Sequence, residues 1–102
     1  MGKLHSINKS PMSSTALTTC LKSISEKSAI IFIEDGVYAA LVNLSDEVGL
    51  DDSSLSIKCY VLRSDIEARG ISIDKLNQQI EIIDYIGFVD LVTEFDGIVA
   101  WS

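Results

Sequence analysis

The stretch Ala29-Ile30-Ile31-Phe32-Ile33, closed by Glu34-Asp35-Gly36, decides the fold. Five consecutive apolar residues rich in β-branched side chains are the pattern of a strand buried on both faces in a parallel sheet; a strand with one wet face would alternate instead. Such a strand needs helices above and below it. Upstream, Leu17, Cys20, Leu21 and Ile24 recur at i, i+3, i+4 and i+7, which predicts an amphipathic helix from Ser13 or Ser14 to about Lys27. Before that helix, residues 3–8 form a short strand, and Asn8-Lys9-Ser10-Pro11 is the loop between them, because the proline cannot donate to a strand ladder.

Downstream, Asp35 is placed to cap a helix through Val37–Val42 by accepting the unpaired amide hydrogens of its first turn. Residues 43–56 read as a polar, acidic connection with Val48 and Leu50 as anchors. Residues 56–62 (Ser56 to Leu62) form a third strand, and Ser64-Asp65-Ile66-Glu67 has the S-x-x-E spacing of a capping box that opens a short helix closed by Gly70. After a turn at Asp74-Lys75-Leu76, Ile80-Glu81-Ile82-Ile83 supplies a fourth strand. Asp84 caps a helix whose Phe88, Leu91, Val92 and Phe95 again keep helical spacing. Gly87 inside that helix costs about 1 kcal/mol relative to Ala, which implies a close approach there. Asp96-Gly97 turns the chain into a fifth strand, Ile98-Val99-Ala100-Trp101. Repeated strand-helix alternation gives an α/β fold, a five-stranded, mostly parallel sheet with right-handed crossovers and helices on both faces. With 102 residues and no internal boundary, residues 1–102 are expected to form one domain.

The formal charge of −7 is unevenly placed. Residues 1–33 carry Lys3, Lys9, Lys22 and Lys27 against Glu26, whereas residues 76–102 carry Glu81, Asp84, Asp90, Glu94 and Asp96 and no Lys or Arg. A nucleic-acid surface needs clustered cations, so direct tRNA or DNA binding is not expected. The acidic end is a solvated face or a complementary subunit contact. No apolar run approaches the roughly 20 residues that span a bilayer, and the first residues lack the apolar core of a secretory signal. Two cysteines without a C-x-x-C pair define neither a disulfide scaffold nor half a zinc site; a reducing cytoplasm is the simpler setting.

Few residues can carry chemistry. Cys20 is the sharp candidate: a thiolate there could attack a donor persulfide, hold the sulfur as Cys–S–SH and release it to another thiolate. Its place on the apolar stripe equally fits a small hydrophobe in the core. Cys59 lies inside a strand and is expected to pack. His5, the one histidine, falls in the first strand, where a satisfied imidazole is expected rather than a general base. Asp35, Asp65 and Asp84 each stand where a helix begins, and capping accounts for them without a metal. Ser10, Ser13, Ser14 and Thr15 have the composition of a flavin phosphate cradle but lack the glycines that let backbone amides approach a phosphate.

Four stretches, Leu4 to Pro11, Glu34 to Leu41, Tyr60-Val61-Leu62 with Asp65 and Ala68-Arg69-Gly70, and Asp84 to Val92 with Ala100-Trp101, resemble in order the DsrH/TusB family of small sulfur-relay subunits. The resemblance implies a flavodoxin-like three-layer α/β/α domain that assembles with DsrE/TusD-like and DsrF/TusC-like subunits into a cytoplasmic heterohexamer. In that assembly the main sulfur-carrying cysteine belongs to the DsrE/TusD-type chain, which passes sulfur to a DsrC/TusE-like acceptor. The implied destinations are tRNA wobble-uridine 2-thiolation and oxidation of stored sulfur. Cys20, within Thr18-Thr19-Cys20-Leu21-Lys22, resembles a cysteine of the DsrH-like branch, which implies an accessory persulfide carrier. No cofactor or metal is implied; a narrower alternative is a homo-oligomer that the chain forms through the same surface in the absence of its partners. The alternative is a free-standing flavin- or nucleotide-binding domain.

Overall fold

The computed structural model describes residues 2–24, 27–41 and 57–101. Five strands, β1 (Leu4–Ile7), β2 (Ala29–Phe32), β3 (Lys58–Leu62), β4 (Glu81–Ile83) and β5 (Ile98–Trp101), form one sheet in the order β4-β3-β2-β1-β5. Every pairing is parallel. All four residues of β2 are buried, as its unbroken apolar run requires of a strand with neighbours on each side and layers above and below.

Helices α1 (Ala16–Ser23) and α2 (Arg63–Ala68), with a 3-10 helix over Glu34–Ala40, cover one face. Their core sets Leu17, Cys20, Val37 and Ile66 against Ile7, Ile30, Phe32 and Val61 of the sheet. Helix α3 (Tyr85–Thr93) lies on the opposite face, where Leu91 joins Leu4, Ala29 and Ile31. The division follows from the connections. Strands β1 to β4 step in one direction, so right-handed crossovers keep their helices on one side, and the return from β4 to β5 carries α3 to the other. The three-layer α/β/α, flavodoxin-like architecture expected from the sequence is the one observed.

Several boundaries and caps differ from expectation. Helix α1 starts at Ala16, with Ser14 Oγ accepting from the Ala16 amide at 3.1 Å. It ends at Ser23, whose hydroxyl donates back to the carbonyls of Thr19 and Cys20, a local bond that competes with continued helix. The capping box at Ser64–Glu67 does not form: the N-cap is Leu62, two residues before Ser64, and it supplies no side-chain cap. Asp35 caps nothing either; the segment after β2 is a 3-10 helix preceded by Ile33, and the Asp35 carboxylate pairs with Arg69. Asp84 does cap α3, accepting from the Gly87 amide at 2.8 Å. A Cβ at Gly87 would stand 3.3 Å from both Asp84 Oδ1 and Ile83 Cβ, the close approach the sequence implied. Gly70 closes α2 at φ +63°, with its amide bonded to Glu67 O and that of Ile71 to Ile66 O, the paired bonds of a Schellman turn. The connection over 43–56, with Val48 and Leu50, lies outside the described residues, as do Val42 and residues 25–26 of the expected first helix.

Candidate functional site

The two thiols come together in the core beneath α1. Cys20 faces the sheet and is fully buried among the cluster that contains Leu17, Ile30 and Phe32, and half-buried Cys59 packs against the same cluster from β3. Burial pushes the Cys20 thiol up to about 11. Burial first, and then the neighbouring Cys20, pushes the Cys59 thiol up to about 12. Both sulfurs are therefore neutral thiols at pH 7 in the lone chain, and a neutral thiol is a poor nucleophile. The nearness of Cys59 to Cys20 is a product of the tertiary fold. It follows from strand register, which the sequence does not give: Cys59 stands opposite Ile30, and alternate residues of a strand share a face.

His5 is buried and accepts at Nδ1 a hydrogen bond of 3.0 Å from Trp101 Nε1. That acceptance requires a neutral ring with its proton on Nε2, and burial lowers the His5 pKa accordingly. It is the satisfied imidazole expected from the sequence, spent on holding β5 to β1.

The carboxyl ends of the strands, where ligands of open α/β sheets bind, carry a strapped turn. Glu34 sits at φ 51°, an uncommon conformation for a residue with a side chain, and its amide donates to Asp65 Oδ2 at 2.7 Å. Arg69 bridges the two acids: Nε and Nη2 donate to Asp35 Oδ1 at 3.0 and 2.9 Å, and Nη1 to the Asp65 carbonyl at 3.2 Å. This accounts for Asp35 and Asp65 without a metal, and among the described residues no group of three or more metal-ligating side chains occurs. The serine loop is likewise self-satisfied. Amides of Ser13 and Ser14 donate to Ser10 O, and those of Met12 and Ala16 to the hydroxyls of Ser10 and Ser14, so the donors a phosphate would need are already bonded.

Helix α3 has the opposite character. Leu91 is buried beneath it, yet Tyr85, Ile86 and Val89 on its outer side are 68%, 72% and 47% exposed. At i, i+1 and i+4 they form one stripe, so the helix is apolar on two sides although the sheet takes up only one. Helical spacing in the sequence marks the inner side alone, through Phe88, Leu91, Val92 and Phe95. Beside the helix, Tyr60, Glu81, Ile83, Asp90 and Glu94 line an open crevice of about 170 Å³ between α3 and strands β3 and β4. Burial, then the carboxylates of Glu81 and Glu94, raise the Tyr60 pKa, so its phenol stays a donor among three acids.

A five-stranded parallel sheet with helices on both faces, two buried or half-buried neutral thiols and an exposed apolar side on α3 defines a three-layer α/β protein. Comparison with known proteins gives the family. Residues 9–98 match the model of the family described as DsrH like protein. The chain is 37% identical over 98 residues to Protein TusB of Pectobacterium parmentieri, covering 96% of this chain and 99% of that protein. It is 32% identical, with the same coverage, to Protein TusB of Escherichia coli strain K12. The fold is similar to the crystal structure of the ychN protein from E. coli, with a TM-score of 0.75 at 16% identity, over 98% of this chain and 99% of that one. It is also similar to the solution structure of protein Tm0979 from Thermotoga maritima, with a TM-score of 0.66 at 23% identity, over 89% and 92% of the two chains. The chain belongs to the DsrH/TusB family. Among the described residues, no helix is long and apolar enough to cross a membrane.

Proposed function

We propose that this chain is a non-catalytic accessory subunit of a cytoplasmic sulfur-relay complex, joining DsrE/TusD-like and DsrF/TusC-like subunits that pass persulfide sulfur to a DsrC/TusE-like acceptor. The observation that carries the reading is the outer face of α3, where Tyr85, Ile86 and Val89 stand together in water, whereas the other large exposed apolar side chains among the described residues, Met12, Ile73 and Ile98, lie on separate segments of the chain. The relay serves either tRNA wobble-uridine 2-thiolation or oxidation of stored sulfur. Purification of the tagged chain from its source cells, with mass-spectrometric identification of its companions, tests this. Two homologous small chains support the relay, and a co-purifying tRNA thiolase or sulfite reductase selects its pathway. Recovery of the chain alone, under conditions that keep other weak complexes intact, defeats it.

Cys20 enters this reading as a core residue, with persulfide carriage as the second role. Carriage requires the assembly to open a path to the sulfur and lower its pKa. Replacement separates the two. Cys20→Ser places a hydroxyl among apolar side chains and is expected to cost about 1–3 kcal/mol, whereas Cys20→Ala should cost less and leave assembly intact. Urea melts and single-turnover sulfur transfer by the assembled complex check this: Cys20→Ala at wild-type transfer rate supports the packing role, and loss of transfer in a fully assembled complex establishes the carrier.

A further inference from the structure

We infer that the outer face of α3 and the acidic crevice beside it dock a different polypeptide, one that presents Lys or Arg side chains alongside an apolar stripe. The inference rests on the accessory-subunit reading and adds where the contact lies and what chemistry meets it.

The sheet is covered unequally. Helices α1 and α2 and the 3-10 helix over Glu34–Ala40 pack on one face, whereas among the described residues α3 is the helix that packs on the other. There Leu4, Ala29 and Ile31 are fully covered, but Tyr60 of β3 and Ile83 of β4 remain half-buried and open to the crevice. Among the described residues this face is open on both sides of α3, at Ile98 of β5 and at the crevice by β3 and β4, and only the crevice adds a carboxylate flank to the apolar stripe of the helix. The crevice adjoins α3 directly, since Asp90 and Glu94 belong to that helix and its end, and together they make an apolar stripe with a carboxylate flank.

Charge selects the occupant. Residues 76–102 supply the helix and β4 with five acids and no Lys or Arg, and Lys58 lies in the adjoining cleft with Tyr60 and Glu81. A partner that buries this flank must bring cations or leave carboxylates desolvated and unpaired. A second copy meeting the same face would set acid against acid. The lysine-bearing outer side of α1 offers Thr18, Thr19, Lys22 and Ser23, which are polar and cannot fill the stripe made by Tyr85, Ile86 and Val89. A chain of different sequence, basic where this one is acidic, satisfies both requirements.

The test uses the full chain and the companion chains that co-purify with it. Ile86→Glu with Val89→Glu should weaken their association about 100-fold, as loss of central apolar anchors does, with the thermal melt lowered by only about a few degrees because Ile86 is largely and Val89 about half exposed. Asp90→Lys with Glu94→Lys should weaken it about 10-fold and remove most of its salt dependence, while Thr19→Glu on α1 should leave it unaltered. Wild-type affinity in both double variants would overturn the docking surface and leave the subunit reading standing. A wild-type chain that binds no companion defeats both. A homodimer of the chain alone, split by Ile86→Glu with Val89→Glu, would show that the occupant is a second copy and overturn the choice of a different chain.

Discussion

Replacing Gly36 by alanine is expected to destabilise the protein by about 3 kcal/mol or more, the scale of severe overpacking, and to lower the melting temperature by about 15 °C or more. A Cβ built on Gly36 falls 1.9 Å from the carbonyl oxygen of Ile7 and 2.7 Å from its carbon. Neither atom belongs to a flexible side chain. That carbonyl ends β1 and accepts the Ile33 amide at 3.0 Å, so it cannot withdraw without breaking the junction of β1 and β2. The Gly36 amide donates to Ile33 O at 2.8 Å, and the turn it belongs to is strapped by Asp65 and Arg69, so retreat of the 3-10 helix is blocked as well. Gly70→Ala is the control. Gly70 has φ +63° and nothing within 4 Å of its Cβ position, so alanine there should cost only the roughly 1–2 kcal/mol of left-handed backbone strain. Thermal and urea melts of the two variants check the contrast. A Gly36→Ala protein that melts within about 2 °C of wild type would mean that β1 and the turn are not in fixed contact.

That contact also gives physical content to the Glu34-Asp35-Gly36 signature that carried the family resemblance. The turn brings the chain across the end of β1 so closely that only glycine fits. Asp35, expected as a helix cap, instead pairs with the Arg69 guanidinium, and Asp65, expected likewise, accepts the Glu34 amide. Sequence periodicity could place the five strands because unbroken or alternating apolar runs are local properties. It could not place the Asp65–Glu34 bond, which joins residues 31 apart, or the Cys20–Cys59 neighbourhood, which depends on strand register. Helix α3 shows a different limit. Phe88, Leu91, Val92 and Phe95 give the expected inner stripe, yet Tyr85, Ile86 and Val89 are equally apolar, and a helix hydrophobic on two sides has no periodic contrast to reveal which side faces water. The candidate site was thus hidden by the composition that makes it a contact surface, while the chemically conspicuous residues, Cys20 and His5, proved to be in the core.

Loss of the Trp101 side chain is the second large effect expected. Trp101 is half-buried on β5, opposite Ile7 in register, and packs against the core under α1. Its indole donates to His5 Nδ1, with ring centroids 6.2 Å apart. Strand β5 is an edge strand whose ladder partner is β1 alone, so this side chain carries much of what holds the edge. Trp101→Ala should cost about 3 kcal/mol, the lower end of the range for buried aromatics because the residue is only half-buried. Trp101→Phe should recover most of the packing but leave His5 Nδ1 without its donor, at about 1–2 kcal/mol. The pH dependence distinguishes the hydrogen-bonded pair from bulk alone. Burial lowers the His5 pKa in the folded chain below its ordinary value of about 6.5. The unfolded chain therefore binds the proton more readily, and the contribution of neutral His5 is fully present above about pH 6.5. It is lost as the pH falls through the lowered folded value. In Trp101→Ala the imidazole is more exposed and its pKa returns toward the ordinary value, so the part of the acid-side decline due to His5 should flatten. Urea denaturation of wild type and both variants, followed from neutral to mildly acidic pH, measures each quantity. A Trp101→Ala protein within about 1 kcal/mol of wild type, or one with an unchanged acid-side slope, would show that the His5–Trp101 contact does not secure the edge of the sheet.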